Sequence, residues 1–324
     1  MPDIVPTIAK IGIMSIGDMG LGIAKLLHAH GFAVATNCHG RSQDTVNRAE
    51  AACVTIYSTD EELVSNCDAI LSVAPPRDAA EIANRVVSAL ASEATKTRRA
   101  STDSPLYFAD MNAVAPSTAR QIASLFESAA HPVHFVDGSI IGGPPSVNGT
   151  DWSVPAMYMS GPHRFEDIAG GWGSRLTEVL HMRHITEKIG AASGLKMCFA
   201  SMSKGYTAIA IQAFTSAQSM GVLGELQSVL AEMAPERAAQ TERGLVSMAP
   251  KAYRWVREME EISKTHVEEG GFSPELFLGA AGVYRSVAEE TVLGQEKIGK
   301  RNRGTSAQDI AKAMVEGLTR NEDR

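Results

Sequence analysis

The 324-residue chain has little cysteine: Cys38, Cys53, Cys67 and Cys198, with no pair at the C-x-x-C spacing of a metal or redox site. Such usage predicts small buried hydrophobes in a reducing compartment. The chain also lacks any run of about 18 apolar residues, so no membrane-spanning helix is expected. Residues 1–10 lack the positive region and apolar run of a secretory signal. No Lys/Arg block stands out and the formal net charge is −7, which argues against a phosphate-tracking nucleic-acid surface. Neither the H-E-x-x-H metal motif nor the G-x-S-x-G nucleophile elbow occurs. His181 and His184 bracket an expected strand, so helical metal-ligand spacing does not apply to them. A cytoplasmic protein without a metal centre is the expectation.

What is present is ordinary in bulk: 44% hydrophobic and 21% charged residues, in a length that suits about two domains. Short apolar runs alternate with amphipathic stretches through the first half. Strands are expected at 8–16, 32–36, 54–57, 69–73, 106–110, 134–137, 156–160 and 182–185. Helices are expected at 21–30, 43–52, 60–66, 78–91 and 117–129, and residues 94–104 read as a polar surface loop. Alternation of this kind predicts a mostly parallel sheet with right-handed crossovers. Strand signals nearly vanish after Gly190, and helices are expected at 192–230, 236–246, 249–269, 274–293 and 306–319. The expected organisation is an α/β domain over residues 1–189 and an all-α domain over 190–324.

Ile11 to Gly20 follows a strand and opens a helix, the setting a dinucleotide-binding turn requires. Gly17 lets backbone approach a pyrophosphate, Gly20 allows close helix–strand packing, and the helix start offers free N–H donors. Ser15 stands at the first glycine position of G-x-G-x-x-G. An NAD site usually has a carboxylate at the end of the second strand. This chain instead reads Asn37-Cys38-His39-Gly40-Arg41-Ser42 there. Arg41 and Ser42 suit a 2′-phosphate, which points to NADP(H). The bland alternative is a solvated loop cation beside a helix cap.

These motifs resemble the β-hydroxyacid dehydrogenases, a group that includes 3-hydroxyisobutyrate and 6-phosphogluconate dehydrogenases; imine reductases share the architecture. Gly17-Asp18-Met19-Gly20 is similar to the family's G-x-M-G turn, and Gly40-Arg41-Ser42 to its NADP-type loop. Val73-Ala74-Pro75-Pro76 falls where the family's loop covers the cofactor. Residues 110–116 resemble the segment that reaches the nicotinamide side, with Asn112 at the usual Ser/Thr/Asn position. The resemblance therefore implies cofactor contacts from Gly17, Asp18, Met19, Gly20, Arg41, Ser42, Ala74, Pro75 and Asn112.

Residues 135–143 resemble the family's substrate-binding D-A-P-V-S-G-G, with Ser139, Gly142 and Gly143 kept as candidate substrate contacts and Ile141 in place of the carboxylate-binding serine. Residues 190–201 resemble G-x-G-x-x-x-K-x-x-N-N. Lys196 falls on the catalytic lysine, and Ala200, counted among the substrate contacts, replaces the asparagine after it. Helical spacing puts Ser193, Lys196, Ala200, Ser203, Lys204 and Thr207 close to one stripe, making Lys204 a second candidate as anchor or modulator. The family's K-D pair is not found at 270–276. Tyr206, Phe214, Trp255 and Tyr284 are candidate pocket aromatics, although helical aromatics usually belong to the core.

A positioned ammonium can polarise a carbonyl oxygen and deliver a proton as hydride arrives at carbon. Desolvation would bring a lysine down from about 10.4 toward the working range. The expected protein is an NADP-dependent homodimeric dehydrogenase acting on a hydroxy acid or ketone. Its rivals are an imine reductase on the same scaffold and an NADPH-binding protein without chemistry.

Overall fold

A computed structural model describes residues 8–100, 104–297 and 300–322. The chain divides into two compact units, Met1–Lys196 and Met197–Arg324. The division falls inside a helix, a few residues beyond the 189/190 boundary expected from the loss of strand signals.

The first unit runs β1 (Lys10–Met14), α1 (Asp18–Ala29), β2 (Ala33–Asn37), α2 (Gln43–Ala51), β3 (Thr55–Tyr57), α3 (Asp60–Asn66), β4 (Ala69–Ser72), α4 (Ala79–Ala91) and α5 (Glu93–Arg99). It continues with β5 (Leu106–Asp110), α6 (Pro116–Leu125), β6 (Val133–Ile141), a hairpin of β7 (Ser146–Asn148) and β8 (Asp151–Ser153), β9 (Ala156–Ser160), α7 (Trp172–Val179) and β10 (Met182–Thr186). Helix α8 (Ala191–Ala200) crosses the division.

Eight strands form one sheet in the order β10-β9-β6-β5-β4-β1-β2-β3, and β6–β9 is its one antiparallel pairing. It is a Rossmann-type, mostly parallel sheet followed by a helical region. Apolar residues cover both of its faces, so the central strands read as continuous apolar runs. Ile11 and Ile13 pack with Ile23, Leu26 and Leu27 of α1 on one face. Ile70, Phe108 and Phe135 pack with Val86, Leu90 and Ile122 on the other. Strand order reverses between β1 and β4, and the crevice beyond their carboxyl ends is where such sheets bind ligands.

Two local expectations fail, and two stretches hold elements that were not expected. The expected loop at 94–104 begins with a helix, α5, because the Ser92 hydroxyl caps it at Thr95 N. Arg99 then turns inward to donate to the Val64 carbonyl at 2.6 Å, so a cation that reads as a surface residue is 6% exposed. The β7–β8 hairpin and α7 lie in stretches where no element was expected. Finally, Cys53 and Cys198 are exposed, while Cys38 and Cys67 are buried.

The second unit contains a π turn (Ser201–Gly205), α9 (Tyr206–Ser219), α10 (Leu223–Met233), α11 (Pro235–Met248), α12 (Ala252–Gly270), α13 (Glu275–Arg285), a second π turn (Ser286–Glu290) and α14 (Ala307–Glu322). The long helix expected at 192–230 is thus interrupted twice, by the π turn and after Ser219. Phe214, Trp255 and Tyr284 belong to the interior of this unit, at 5%, 9% and 0% exposure. Trp255 meets Tyr284 edge-on at 5.2 Å. No helix among the described residues is long and apolar enough to cross a membrane.

Candidate active site

The turn after β1 has the geometry of a phosphate cradle. Ser15 holds a φ of +82°, the left-handed region that a glycine would occupy without strain. A Cβ on Gly20 would stand 2.1 Å from the Ser15 carbonyl oxygen, so no side chain fits there. Gly17 caps α1 without a side-chain hydrogen bond, and a Cβ on it would meet nothing within 4 Å. The helix start is therefore open at its positive end, and the residues present fit a dinucleotide pyrophosphate. Asp18 is exposed and faces Arg48 at 3.9 Å, and Met19 packs against the core.

At the end of β2, Asn37 donates to Asp60 at 2.8 Å and accepts from His39 N at 2.7 Å. Gly40 takes a φ of +70°, and Arg41 and Ser42 stand exposed at the start of α2. Ser42 lies 3.1 Å from the Thr45 hydroxyl.

The loops after β4 and β5 are joined by Asn112. Its Oδ1 accepts from Ala74 N at 2.6 Å, and its amide nitrogen donates to Ser72 Oγ at 2.9 Å and to Asp110. Asn112 is 2% exposed, so it holds the half-buried Ala74–Pro75 segment in place with an amide that is already engaged.

A row of polar side chains crosses the sheet: Ser72 on β4 pairs in register with Asp110 on β5, Asp110 with Asp137 on β6, and Asp137 with Ser160 on β9. All four are at most 2% exposed. Asp137 Oδ2 accepts from Ser160 Oγ at 2.7 Å and from the backbone N–H groups of Gly190, Ala192 and Ser193 at 2.9, 3.0 and 3.2 Å. Its Oδ1 accepts from Ser193 Oγ at 2.5 Å. Burial pushes this carboxyl up while these hydrogen bonds pull it down. The helix start that it closes is a natural seat for an anion. Gly190, at φ +97°, leaves no room for a Cβ beside the Pro116 carbonyl, 2.9 Å away. The sheet, α6 and the first turn of α8 are thereby fixed together.

Lys196 stands in the next turn of α8. It is half-buried, and desolvation lowers it from the usual lysine range to about 8, with Asp110 acting against the fall. Asp110 is raised to about 7, chiefly by burial and further by Asp137, while Asn112 and Lys196 oppose the rise. An ammonium and a carboxyl that both titrate near neutrality can hold or release a proton under ordinary conditions.

Other expected contacts are placed differently. Because β6 runs on to Ile141, Ser139 is mid-strand opposite Tyr158 and 0% exposed. Gly142 and Gly143 beyond it are exposed, Gly142 at φ +136°. Ala200 is 5% exposed. Lys204 stands outside the regular α-helix. The π turn at 201–205 breaks the helical period on which its stripe rested, and its ammonium is bound by Glu258 and lies 5.0 Å from the Trp255 ring centre. Tyr206 hydrogen-bonds Thr241 at 2.6 Å. Among the described residues no three His, Cys, Asp or Glu side chains could hold a metal ion.

Asp110 and Asp137 lie inside sequence motifs that assign them no role of their own. Asp137 acts through partners 53–56 residues away, and no local spacing announces such a bond.

Residues 10–154 match the NAD binding domain of 6-phosphogluconate dehydrogenase, and residues 217–287 match a domain of unknown function (DUF1932). The first unit carries an NAD-binding domain of the 6-phosphogluconate dehydrogenase type. An uncharacterized 28.5 kDa protein in the 7S RNA 5′ region of Methanothermus fervidus is 24% identical over 69% of this chain and 76% of its own length. The 3-hydroxyisobutyrate dehydrogenase of Mycobacterium tuberculosis, solved with L-serine, has a TM-score of 0.63 at 18% identity, covering 96% of this chain and 99% of that one. A reductive aminase from Aspergillus terreus, in complex with NADPH and ethyl levulinate, reaches 0.51 at 17% identity, covering 96% and 99%. These likenesses are of fold.

Proposed function

We propose that the protein is an NADP-dependent dehydrogenase or reductase interconverting a hydroxy compound and its ketone, with Lys196 as general acid and base. The observation that carries this reading is a half-buried lysine, brought to about 8 by desolvation, on a helix bolted to the sheet through Asp137. A bound nicotinamide supplies or accepts the hydride. Gly17, Asp18, Met19 and Gly20 would hold its pyrophosphate, and Arg41 and Ser42 a 2′-phosphate. Asn112, through Ala74 and Pro75, would shape the loop over it. In the reducing direction the Lys196 ammonium gives its proton to the carbonyl oxygen; in the oxidising direction the free amine takes the hydroxyl proton. The exposed N–H groups of Gly142 and Gly143 would face a polar group of the substrate, whereas Ile141 disfavours a small carboxylate.

Exposed Met202, Ile209, Met233, Phe272 and Leu276 of the second unit support a homodimer, and four unpaired cysteines suit the cytoplasm. The test is absorbance at 340 nm with NADPH against keto acids, aldehydes, ketones and cyclic imines. Turnover confined to imines would replace the carbonyl reading with that of an imine reductase. Saturable NADPH binding with no turnover on any class would leave a binding protein.

A further inference from the structure

Asp110 is the buried carboxyl that the proton chemistry leaves unused. Its two oxygens are treated unequally. Oδ1 accepts from Asn112 N at 3.1 Å and from the Asn112 amide, whereas Oδ2 is buried with no hydrogen-bond partner among the described residues. Its neighbour in the row, Asp137, has both oxygens filled. A buried polar atom without a partner is costly, and its persistence calls for a reason. The charged groups that act on Asp110 are Asp137 from β6, which disfavours the anion, and Lys196 from α8, which favours it. Asp110 in turn acts on Lys196, which stands one helical turn after the Ser193 that Asp137 binds.

We infer that Asp110 is a positioning residue whose unpartnered Oδ2 keeps the Lys196 ammonium charged in its apolar surroundings. This rests on Lys196 being the proton donor, but the coupling itself can be read without turnover. The sign is set by the order of the two titrations. Above about pH 7 Asp110 is an anion and supports the ammonium; below that it is neutral and contributes nothing. Replacing Asp110 by Asn keeps the Oδ1 acceptor, puts an amide nitrogen in the place of Oδ2 and removes the charge. Lys196 then loses its proton at lower pH.

The experiment is reductive methylation with 13C-formaldehyde and an NMR titration of the dimethylated Lys196 signal, assigned by its absence in Lys196→Arg. The expected result is a two-step titration in the wild type and a single step at lower pH in Asp110→Asn. An unmoved midpoint overturns the inference. Should Asp110→Asn fail to fold, the wild-type curve decides: two steps uphold the coupling and one step overturns it. Where a substrate is in hand, Asp110→Asn loses about tenfold or more in reductive kcat at pH 8 and little at pH 6. An equal loss at both pH values means a merely structural role. Absence of turnover in the wild type defeats the proposed function and leaves the NMR result standing.

Discussion

Ser193 on α8 donates its hydroxyl proton to Asp137 on β6 at 2.5 Å, across 56 residues of sequence. The same carboxylate accepts the backbone N–H groups of Gly190, Ala192 and Ser193, so one side chain both belongs to the row across the sheet and starts a helix. Asp137→Ala leaves those donors buried and unpaired. At about 1–3 kcal/mol for each group left unsatisfied, the variant should lose at least about 2 kcal/mol. Thermal unfolding would show a fall of about 4–8 °C at that minimum. A change below about 1 °C would mean that water replaces the carboxylate without cost.

Lys196→Met removes the proposed proton donor and acceptor while preserving much of the side chain's length and packing. General acid–base groups contribute about 10²–10⁴-fold, and turnover should fall within that range. NADPH binding, followed by fluorescence, should stay within about threefold. Full activity in this variant would remove Lys196 from the mechanism.

The pH profile is dictated by the direction of the lysine's displacement. Burial lowers Lys196 to about 8, so the ammonium is present below that value and lost above it. Reduction should therefore hold through neutrality and decline as pH rises through about 8. Oxidation, which needs the free amine, should gain over the same interval. A profile for reduction that is flat to pH 10 would contradict the assignment.

Two glycines of one turn should behave oppositely. Gly17→Ala places its methyl in open space, so stability is kept and NADPH affinity drops. Gly20→Ala drives a methyl into the Ser15 carbonyl, so the fold itself suffers. Ser15→Gly relieves a left-handed residue and should stabilise by about 1 kcal/mol. Thermal melts with and without NADPH separate the three.

Arg41→Ala should weaken NADPH about 10- to 100-fold, the worth of one charge-assisted hydrogen bond, and leave NADH unchanged. Equal effects on both nucleotides would place the 2′-phosphate elsewhere.

The glycine turn, the strand alternation and the lysine helix are legible in the sequence because each rests on neighbours within one or two turns of chain. Ile11, Ile13, Ile23 and Leu27 carry their periods openly, and the sheet is built on them. Helix α5 is hidden because its sequence is polar, and its order comes from a Ser92 cap and an arginine that dives to carbonyls 32 and 35 residues away. The setting of Lys204 is hidden for a different reason. The spacing rule is sound, but nothing in Ser201–Gly205 signals that the ladder there is wound with i→i+5 bonds. Asp110 and Asp137 gain their meaning only from strand register, which brings carboxylates 27 residues apart side by side.

The π turn at Ser201–Gly205 also bears on how this helix diverges over generations. Such a turn is an α-turn with one residue too many. Losing a single codon within 201–205 would restore the α ladder and rotate all of α9 by about 100°. Thr207, Ala210, Ile211 and Phe214, the inward side chains of α9, would hand their places to neighbours in one event. Substitution alone must exchange those positions one at a time, so length variation is the faster route by which this segment can acquire a different lining.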